Sequence, residues 1–133
     1  MDAALIALTD RGVRFTFVGD PFRSRHEIPN EDIVEIDFSR NEIGDADVEA
    51  IVPLVNLQGI SFWNTDISDH TIENIAQLPR LVRLNLCGTQ VTDASVIFLV
   101  RMALQYIDVA DTRMTPRGVE RLREGLPNAE ILT

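Results

Sequence analysis

The stretch "LVRLNLCGTQVTD", residues Leu81 to Asp93, places leucines at its first, fourth and sixth positions and an aspartate at its end. The stretch "LQGISFWNTDISD", 24 residues upstream at 57–69, keeps the same apolar spacing with different residues between. A fixed period with drifting intermediate residues is typical of an internal structural repeat. The same spacing is therefore expected elsewhere in the chain.

The repeat continues as four units, 33–56, 57–80, 81–103 and 104–128, with a stub strand at 129–133. Because a single unit of this kind cannot bury its apolar side alone, stacked units are expected to share one core. Six positions of every unit (first, fourth, sixth, eleventh, sixteenth and nineteenth) are apolar. They hold Ile33, Leu57, Leu81, Leu104; Ile36, Ile60, Leu84, Ile107; Phe38, Phe62, Leu86, Val109; Ile43, Ile67, Val91, Met114; Val48, Ile72, Val96, Val119; and Ile51, Ile75, Leu99, Leu122.

Two periodicities lie within each unit. The fourth and sixth positions alternate with polar residues, which predicts a short strand, whereas the sixteenth and nineteenth have helical spacing. Between them, Ser68-Asp69, Thr92-Asp93 and Thr115-Pro116 are typical of helix starts, with a capping hydroxyl before an acid or a proline. Gly44-Asp45 is a weaker version, and the aspartates are expected to complement the helix dipoles.

Residues 33–133 resemble leucine-rich repeat proteins. They match the pattern L-x-x-L-x-L-x-x-N/C/T-x-[IVL]-[ST]-D of the ribonuclease-inhibitor-like type. The segments "LNLCGTQVTD" and "GVERLREGLPNAEIL" resemble short bacterial proteins of this type. The resemblance implies an α/β, right-handed solenoid with a parallel sheet on its concave face and helices on its convex face. It implies no chemistry.

Residues 1–32 depart from the repeat and are predicted to form an atypical N-terminal capping unit. "AALIAL" at 3–8 is expected to be helical, and "VRFTFV" at 13–18 to be a strand with Phe15 and Phe17 inward. The segment that follows lacks helical periodicity, which predicts a loop where the other units have a helix. Such a unit would cover the open end of the core.

The outward strand positions (third, fifth and seventh of each unit) are free of packing constraints and predict a protein-binding surface. Trp, Tyr and Arg dominate binding energy at interfaces, and the only Trp and the only Tyr of the chain both occupy outward positions. An alternative is that Trp63 merely covers its neighbours. The predicted partner-binding residues are Glu35, Asp37, Trp63, Arg83, Asn85, Tyr106 and Asp108.

The third unit has an unusually apolar helix side. Ile97 and Phe98, followed by Val100, stand where the other units carry Glu49-Ala50, Glu73-Asn74 and Glu120-Arg121. A helix apolar on more than one side is either covered or adhesive. The alternative function is therefore a structural or homo-oligomeric subunit that uses this convex patch, unless Phe98 simply wedges between neighbouring helices.

The charge of the chain limits the class of partner. Its net charge is −9, with 21 acids against 12 bases, all arginine. This disfavours nucleic-acid and anionic-membrane binding, which depend on clustered cations, and leaves a protein of unknown identity as the expected partner. Cys87 is the only cysteine, so no internal disulfide can form. An acid near the start disfavours a secretory signal, and the expected location is cytoplasmic.

No arrangement of residues predicts catalysis, a metal or a cofactor. His26 and His70 have no serine or cysteine in a register that would complete a nucleophilic site. The remote alternative is a metal-binding or enzymatic site at Asp66, Asp69 and His70, because these side chains offer oxygen and nitrogen ligands within one short segment. Cys87 is interpreted as small surface filler.

Overall fold

The computed structural model describes residues 1–133 as an α/β fold built on one six-stranded sheet. Three short 3₁₀ helices lie at Arg25–Glu27, Asn30–Asp32 and Asp93–Ser95. None of the helices is long and apolar enough to span a membrane. The strands are β1 (Arg14–Phe17), β2 (Ile33–Asp37), β3 (Gly59–Ser61), β4 (Arg83–Asn85), β5 (Tyr106–Asp108) and β6 (Glu130–Leu132), and the helices are α1 (Ala3–Asp10), α2 (Asp45–Ile51), α3 (Asp69–Ile75), α4 (Val96–Leu99) and α5 (Pro116–Gly125).

The strands lie in the sheet in chain order, and β2 to β6 are all parallel. Their register places the fourth position of each unit in one row, formed by Ile36, Ile60, Leu84, Ile107 and Ile131. The near-constant unit length produces this row, because every unit returns the chain to the same height on the neighbouring strand. The parallel sheet predicted from the repeat is confirmed for β2 to β6.

The repeated apolar positions form the core. All of them are buried except Ile43, Met114 and Val119, which are half-buried and still pack against the core. Met114 and Val119 belong to the last unit, on which no further layer packs. Inside the stack, the rings of Phe38 and Phe62 are parallel with their centroids 5.4 Å apart, so the core contacts run from unit to unit.

Each strand ends in the same turn. The eighth residue of every unit has a left-handed backbone: Arg40, Asn64, Gly88 and Asp111 have φ between 53° and 75°. One residue later, the hydroxyls of Thr65, Thr89 and Thr112 each donate to the carbonyl three residues back at 2.7 Å. Since Thr65 and Thr89 are buried, these bonds satisfy hydroxyls that water cannot reach.

The helix starts hold neighbouring units together. Thr92 and Thr115 cap their helices as predicted, by accepting from the amides of Ala94 and Gly118. Ser68 makes no such bond, so its predicted capping hydrogen bond is wrong. In addition, the Asp69 carboxylate accepts from the amide and hydroxyl of Thr92 in the next unit. Thus Asp69 both begins a helix and joins two layers.

The helix and the strand predicted within residues 1–32 are both present. α1 contributes buried Leu5 and Leu8 to the end of the core, and residues 18–32 contain two 3₁₀ turns but no α-helix. β1, however, pairs antiparallel with β2, which corrects the expectation of a wholly parallel sheet. The physical reason is the lack of a crossover helix: a parallel neighbour needs a long connection across the sheet, whereas this loop only turns back at its end.

The structure describes where the elements fall within the predicted units, and the unit boundaries themselves stay a prediction. Each of the units 33–56, 57–80, 81–103 and 104–128 contains one strand followed by one helix. The helix of the third unit is a single turn preceded by a 3₁₀ turn.

Candidate interaction surface

The side chains that point away from the core form what we call the open face of the sheet. In β4 and β5, a buried residue lies between two that are at least partly accessible, as the strand period requires. Gly59 is the exception, since it is buried although it occupies an outward position. A depression of about 560 Å³ lies on the open face. It is lined by Arg14, Phe15, Thr16, Glu35, Ile36, Asp37, Gly59, Ile60, Ser61, Arg83, Leu84, Asn85 and Tyr106.

The depression brings together five of the seven predicted partner-binding residues and leaves two outside. Trp63 and Asp108 do not line it. The register pairs Gly59 with Arg83 and Arg83 with Tyr106, so Trp63 lies four residues along and two strands away from Tyr106. Standard strand spacings make that separation roughly 16 Å. The two aromatic residues expected to share one surface therefore belong to different parts of it.

An ion pair crosses the floor of the depression. Glu35 and Arg83 stand on β2 and β4, on either side of Gly59, and the Arg83 guanidinium donates to the Glu35 carboxylate. A Cβ on Gly59 would lie 3.4 Å from atoms of both side chains. Because Gly59 has no side chain, the two charged groups meet across the strand that separates them.

A second ion pair closes the β1 side of the depression. The Arg14 guanidinium donates to the Asp37 carboxylate, which also accepts from the Ser39 amide at 2.9 Å. Burial disfavours ionisation of Asp37, but the hydrogen bonds from Ser39 and Arg14 outweigh it and hold the pKa of Asp37 below its ordinary value. This carboxylate is therefore charged at neutral pH.

Three predicted binding residues also have a local structural role. Asp37, Asn85 and Asp108 occupy the fifth position of their units, and each accepts a hydrogen bond from the amide two residues later, at 2.9, 3.0 and 2.9 Å. These bonds fix the turn that follows each strand. Their polar character thus has a structural cause even without a partner.

Trp63 is covered from within the chain. The guanidinium carbon of Arg40 lies 4.5 Å from the centroid of its ring, a cation–π contact. This agrees with the alternative that Trp63 packs against its neighbours.

Cys87 is half-buried and has no disulfide partner. Burial, together with the charges of Asp108 and Asp111, raises the pKa of its thiol, and a hydrogen bond with Trp63 only partly offsets the rise. A protonated thiol is a poor nucleophile, in keeping with the interpretation of Cys87 as filler.

The helix side of the third unit is mostly packed. Phe98 and Val100 are half-buried and pack against the core, and a Cβ on Gly125 of α5 would lie 2.3 Å from Cγ1 of Val100. Ile97 alone is exposed, with 49% of its surface accessible. Of the predicted apolar patch, Ile97 is thus the one exposed side chain, and Phe98 and Val100 are partly covered.

The remote metal-binding alternative at Asp66, Asp69 and His70 is not assembled. Both carboxylate oxygens of Asp69 accept hydrogen bonds from Thr92, and one also accepts from Ser95. The nearest acid to His70 Nε2 is Asp45, at 3.9 Å. No group of three histidine, cysteine, aspartate or glutamate side chains in the chain is placed to hold a metal ion.

Two residues of the open face were missed from the sequence. Arg14 was missed because the strand at 13–18 gave no sign of which edge or direction it would adopt. Glu130 was missed because counting from 129 puts it at a second position, whereas the register pairs it with Tyr106. A constant count of 24 residues from Tyr106 would have found Glu130.

Residues 30–52 match the family model described as Leucine Rich repeat. This segment is similar to a leucine-rich repeat. The match supports the leucine-rich repeat resemblance, and the mostly parallel α/β sheet fits a fold of that type. No curated protein matches the sequence. A Chaetomium structure titled "Structure of Chaetomium Mex67:Mtr2 subunits" is similar in fold, with a TM-score of 0.59 and 20% sequence identity over 74% of this chain and 78% of that chain.

Proposed function

We propose that this leucine-rich repeat chain is a non-catalytic recognition module that binds a segment of a protein partner on its open face. The observation that carries the proposal is the depression, which gathers two ion pairs and Tyr106 on a surface that the fold itself leaves uncovered. Leucine-rich repeat domains commonly serve as protein-interaction modules, and stacked repeats create extended binding surfaces of this kind.

The proposal also covers the handedness, curvature and repeat subtype of the fold. In it, the units coil as a right-handed solenoid of the ribonuclease-inhibitor-like type, with the open face concave, as in the short bacterial proteins that the sequence resembles. The continuous parallel register of β2 to β6 supports this form. The proposed location is cytoplasmic, and the proposed module needs neither a cofactor nor a metal.

The non-catalytic character is proposed from the chemistry of the open face. The carboxylates of Glu35, Asp37 and Asp108 are paired with arginines or hold a turn amide, and burial keeps the Cys87 thiol protonated. General acid–base and nucleophilic catalysis need a proton acceptor poised near neutral pH beside a reactive group. The half-buried thiol has no such base beside it.

A pull-down with paired variants tests the proposal. Arg83→Ala/Tyr106→Ala removes two side chains from the depression, and Glu73→Ala/Arg101→Ala removes two exposed side chains from the helix side as a matched control. A partner captured from a lysate of the source cells and identified by mass spectrometry is expected to be lost with the first pair and retained with the second. Retention by the first pair and loss with the second would show that the open face is not the working surface.

The alternative, a homo-oligomeric subunit, rests on the exposure of Ile97. A charged substitution at Phe98 would perturb the fold, because Phe98 packs against the core. Ile97→Asp is the better probe. An oligomer of the wild type that dissociates with Ile97→Asp would favour this alternative, and a wild-type monomer would end it.

A further inference from the structure

The two halves of the open face differ in how their charges are balanced. On β2, Glu35 and Asp37 are neutralised by Arg83 and Arg14. On β5, β6 and the turn after β5, Asp108, Glu130 and Asp111 form no ion pair with any arginine or histidine of the chain within 4.0 Å.

Tyr106 stands between Arg83 on β4 and Glu130 on β6, and no cation of the chain lies over its ring. Glu130 is its direct neighbour on β6, and Asp108 lies two residues along the same strand. The two cation–π contacts of the chain involve other rings, those of Phe17 and Trp63. Tyr106 also lines the end of the depression, so an occupant of the depression reaches it directly.

The unpaired carboxylates disfavour further negative charge on the groups beside them. Burial raises the pKa of the Tyr106 hydroxyl, and the charges of Asp108 and Glu130 raise it further. Asp108 and Asp111 act in the same direction on Cys87 in the adjacent unit. Asp108 thus acts on titratable groups in two neighbouring units, and a cation placed beside it would be stabilised for the same reason.

The dimensions of the face define the length of a bound segment. The depression is lined by residues from β1 to β5, which is four strand spacings, or roughly 19 Å. An extended chain rises by about 3.3 Å per residue, so about six residues span it. We call the β2 side, with its two ion pairs, the neutral half, and the side with Asp108, Asp111 and Glu130 the acidic half. A segment of this length has room to contact both halves at once.

Resting on the proposed function, we infer that the partner segment is basic and that it seats an arginine or lysine over the Tyr106 ring, between Asp108 and Glu130. The ring supplies a cation–π contact and the carboxylates supply charge complementarity. The neutral half, with its internal ion pairs, accommodates the remainder of the segment. The net charge of −9 adds a long-range attraction for the same class of partner.

A fluorescence anisotropy titration tests this inference with a labelled peptide of alternating glycine and arginine. The same peptide with glutamate in place of arginine is the probe control. Asp108→Asn/Glu130→Gln removes two charges beside Tyr106, and asparagine at 108 can still accept from the Ala110 amide. Glu49→Gln/Glu73→Gln removes two charges from exposed helix positions as the matched control for net charge.

At low ionic strength the arginine peptide is expected to bind, the glutamate peptide not to bind, and Asp108→Asn/Glu130→Gln to weaken binding about five- to tenfold. The helix pair is expected to weaken it less than about twofold, since Glu49 and Glu73 stand on α2 and α3 rather than on the sheet that carries Tyr106. Absence of binding by the arginine peptide, or equal losses with both pairs, overturns the inference.

The captured partner separates this inference from the proposed function. Suppose that the partner is lost with Arg83→Ala/Tyr106→Ala but binds Asp108→Asn/Glu130→Gln normally. This result would overturn the inference that the segment is basic, and the open face would remain the binding surface. A partner that depends on neither pair overturns both.

Discussion

Asp69 binds Thr92 of the next unit through both oxygens of its carboxylate. Oδ1 accepts from the Thr92 amide at 2.9 Å, and Oδ2 accepts from the Thr92 hydroxyl at 2.6 Å. Oδ1 also accepts from the hydroxyl of Ser95, which is fully buried. One unit further, Asp93 binds the amide and the hydroxyl of Thr115 in the same way. The aspartate that begins a helix is thus also the polar link between layers.

Replacing Asp69 is expected to loosen that link. Asp69→Ala leaves the buried Ser95 hydroxyl and the Thr92 amide without their acceptor, which should lower the free energy of unfolding by about 1–3 kcal/mol. Urea denaturation followed by circular dichroism measures the change. Asp66→Ala, at an exposed aspartate three residues earlier that accepts no hydrogen bond in the structure, is the matched control and should change stability by less than about 0.5 kcal/mol.

The same carboxylate makes stability depend on pH. Hydrogen bonds from Ser95 and Thr92 outweigh burial and hold the pKa of Asp69 below its ordinary value. A group whose pKa is lowered on folding stabilises the protein above its unfolded pKa, and the stabilisation is lost as the pH falls through the folded pKa. Asp69→Asn should therefore flatten the acid side of the stability profile. An unchanged slope between neutral and acid pH would contradict this role.

Gly88 is required by its backbone and by its neighbour. Its φ is +75°, and a Cβ there would lie 2.2 Å from Oδ1 of Asn64 in the preceding unit. Gly88→Ala is expected to destabilise the fold by about 1–2 kcal/mol from the left-handed backbone alone, with the contact adding to that cost. Gly44→Ala is the control, since nothing lies within 4 Å of a Cβ at that position. Adding Asn64→Gly to Gly88→Ala should restore part of the loss in thermal melting.

Substitutions at Gly59 test whether the partner occupies the depression, and they do so without changing any charge. Gly59→Val fits a strand, but its methyl groups occupy the space in which Glu35 and Arg83 meet. Since a surface ion pair contributes about 0–1 kcal/mol, the melting temperature should change little, whereas partner binding should fall. Gly59→Ala is the milder control, because its Cβ makes ordinary contacts with the two side chains. Unimpaired partner binding by Gly59→Val would place the partner elsewhere.

The alkylation rate of the Cys87 thiol tests the effect of the nearby carboxylates in the acidic half of the open face. Its thiol pKa is raised by burial and by Asp108 and Asp111, so alkylation by iodoacetamide at neutral pH should be slow and should accelerate on unfolding. Removing negative charge lowers a thiol pKa. In Asp108→Asn/Asp111→Asn the midpoint of the rate against pH should shift to lower pH. A shift to higher pH, or none, would show that these carboxylates do not act on Cys87.

The repeat predicts the core well because packing constrains it. Each buried position must be apolar in every unit, so the signal for residues such as Ile60 and Leu84 is reinforced by their equivalents in the other units. The direction of β1 carries no such signal. Only the structure shows that its loop turns back beside β2, and this pairing brings Arg14 to Asp37.

The open face is less predictable because its residues interact with one another. The composition of the outward positions identifies Trp63 and Tyr106, but it does not show that Arg40 already covers one of them. The role of Gly59 depends on side chains from two other strands, 24 residues away on either side. Contacts of this kind depend on how neighbouring strands align, and the sequence of a single unit does not show that alignment.

Site-specific photo-cross-linking tests the central claim most directly. A photoreactive phenylalanine analogue is introduced at Tyr106, on the open face, or at Ile97, on the helix side, and each protein is irradiated with its captured partner. The account predicts a cross-link to the partner from position 106 and none from position 97. A cross-link from position 97 with none from position 106 would contradict it.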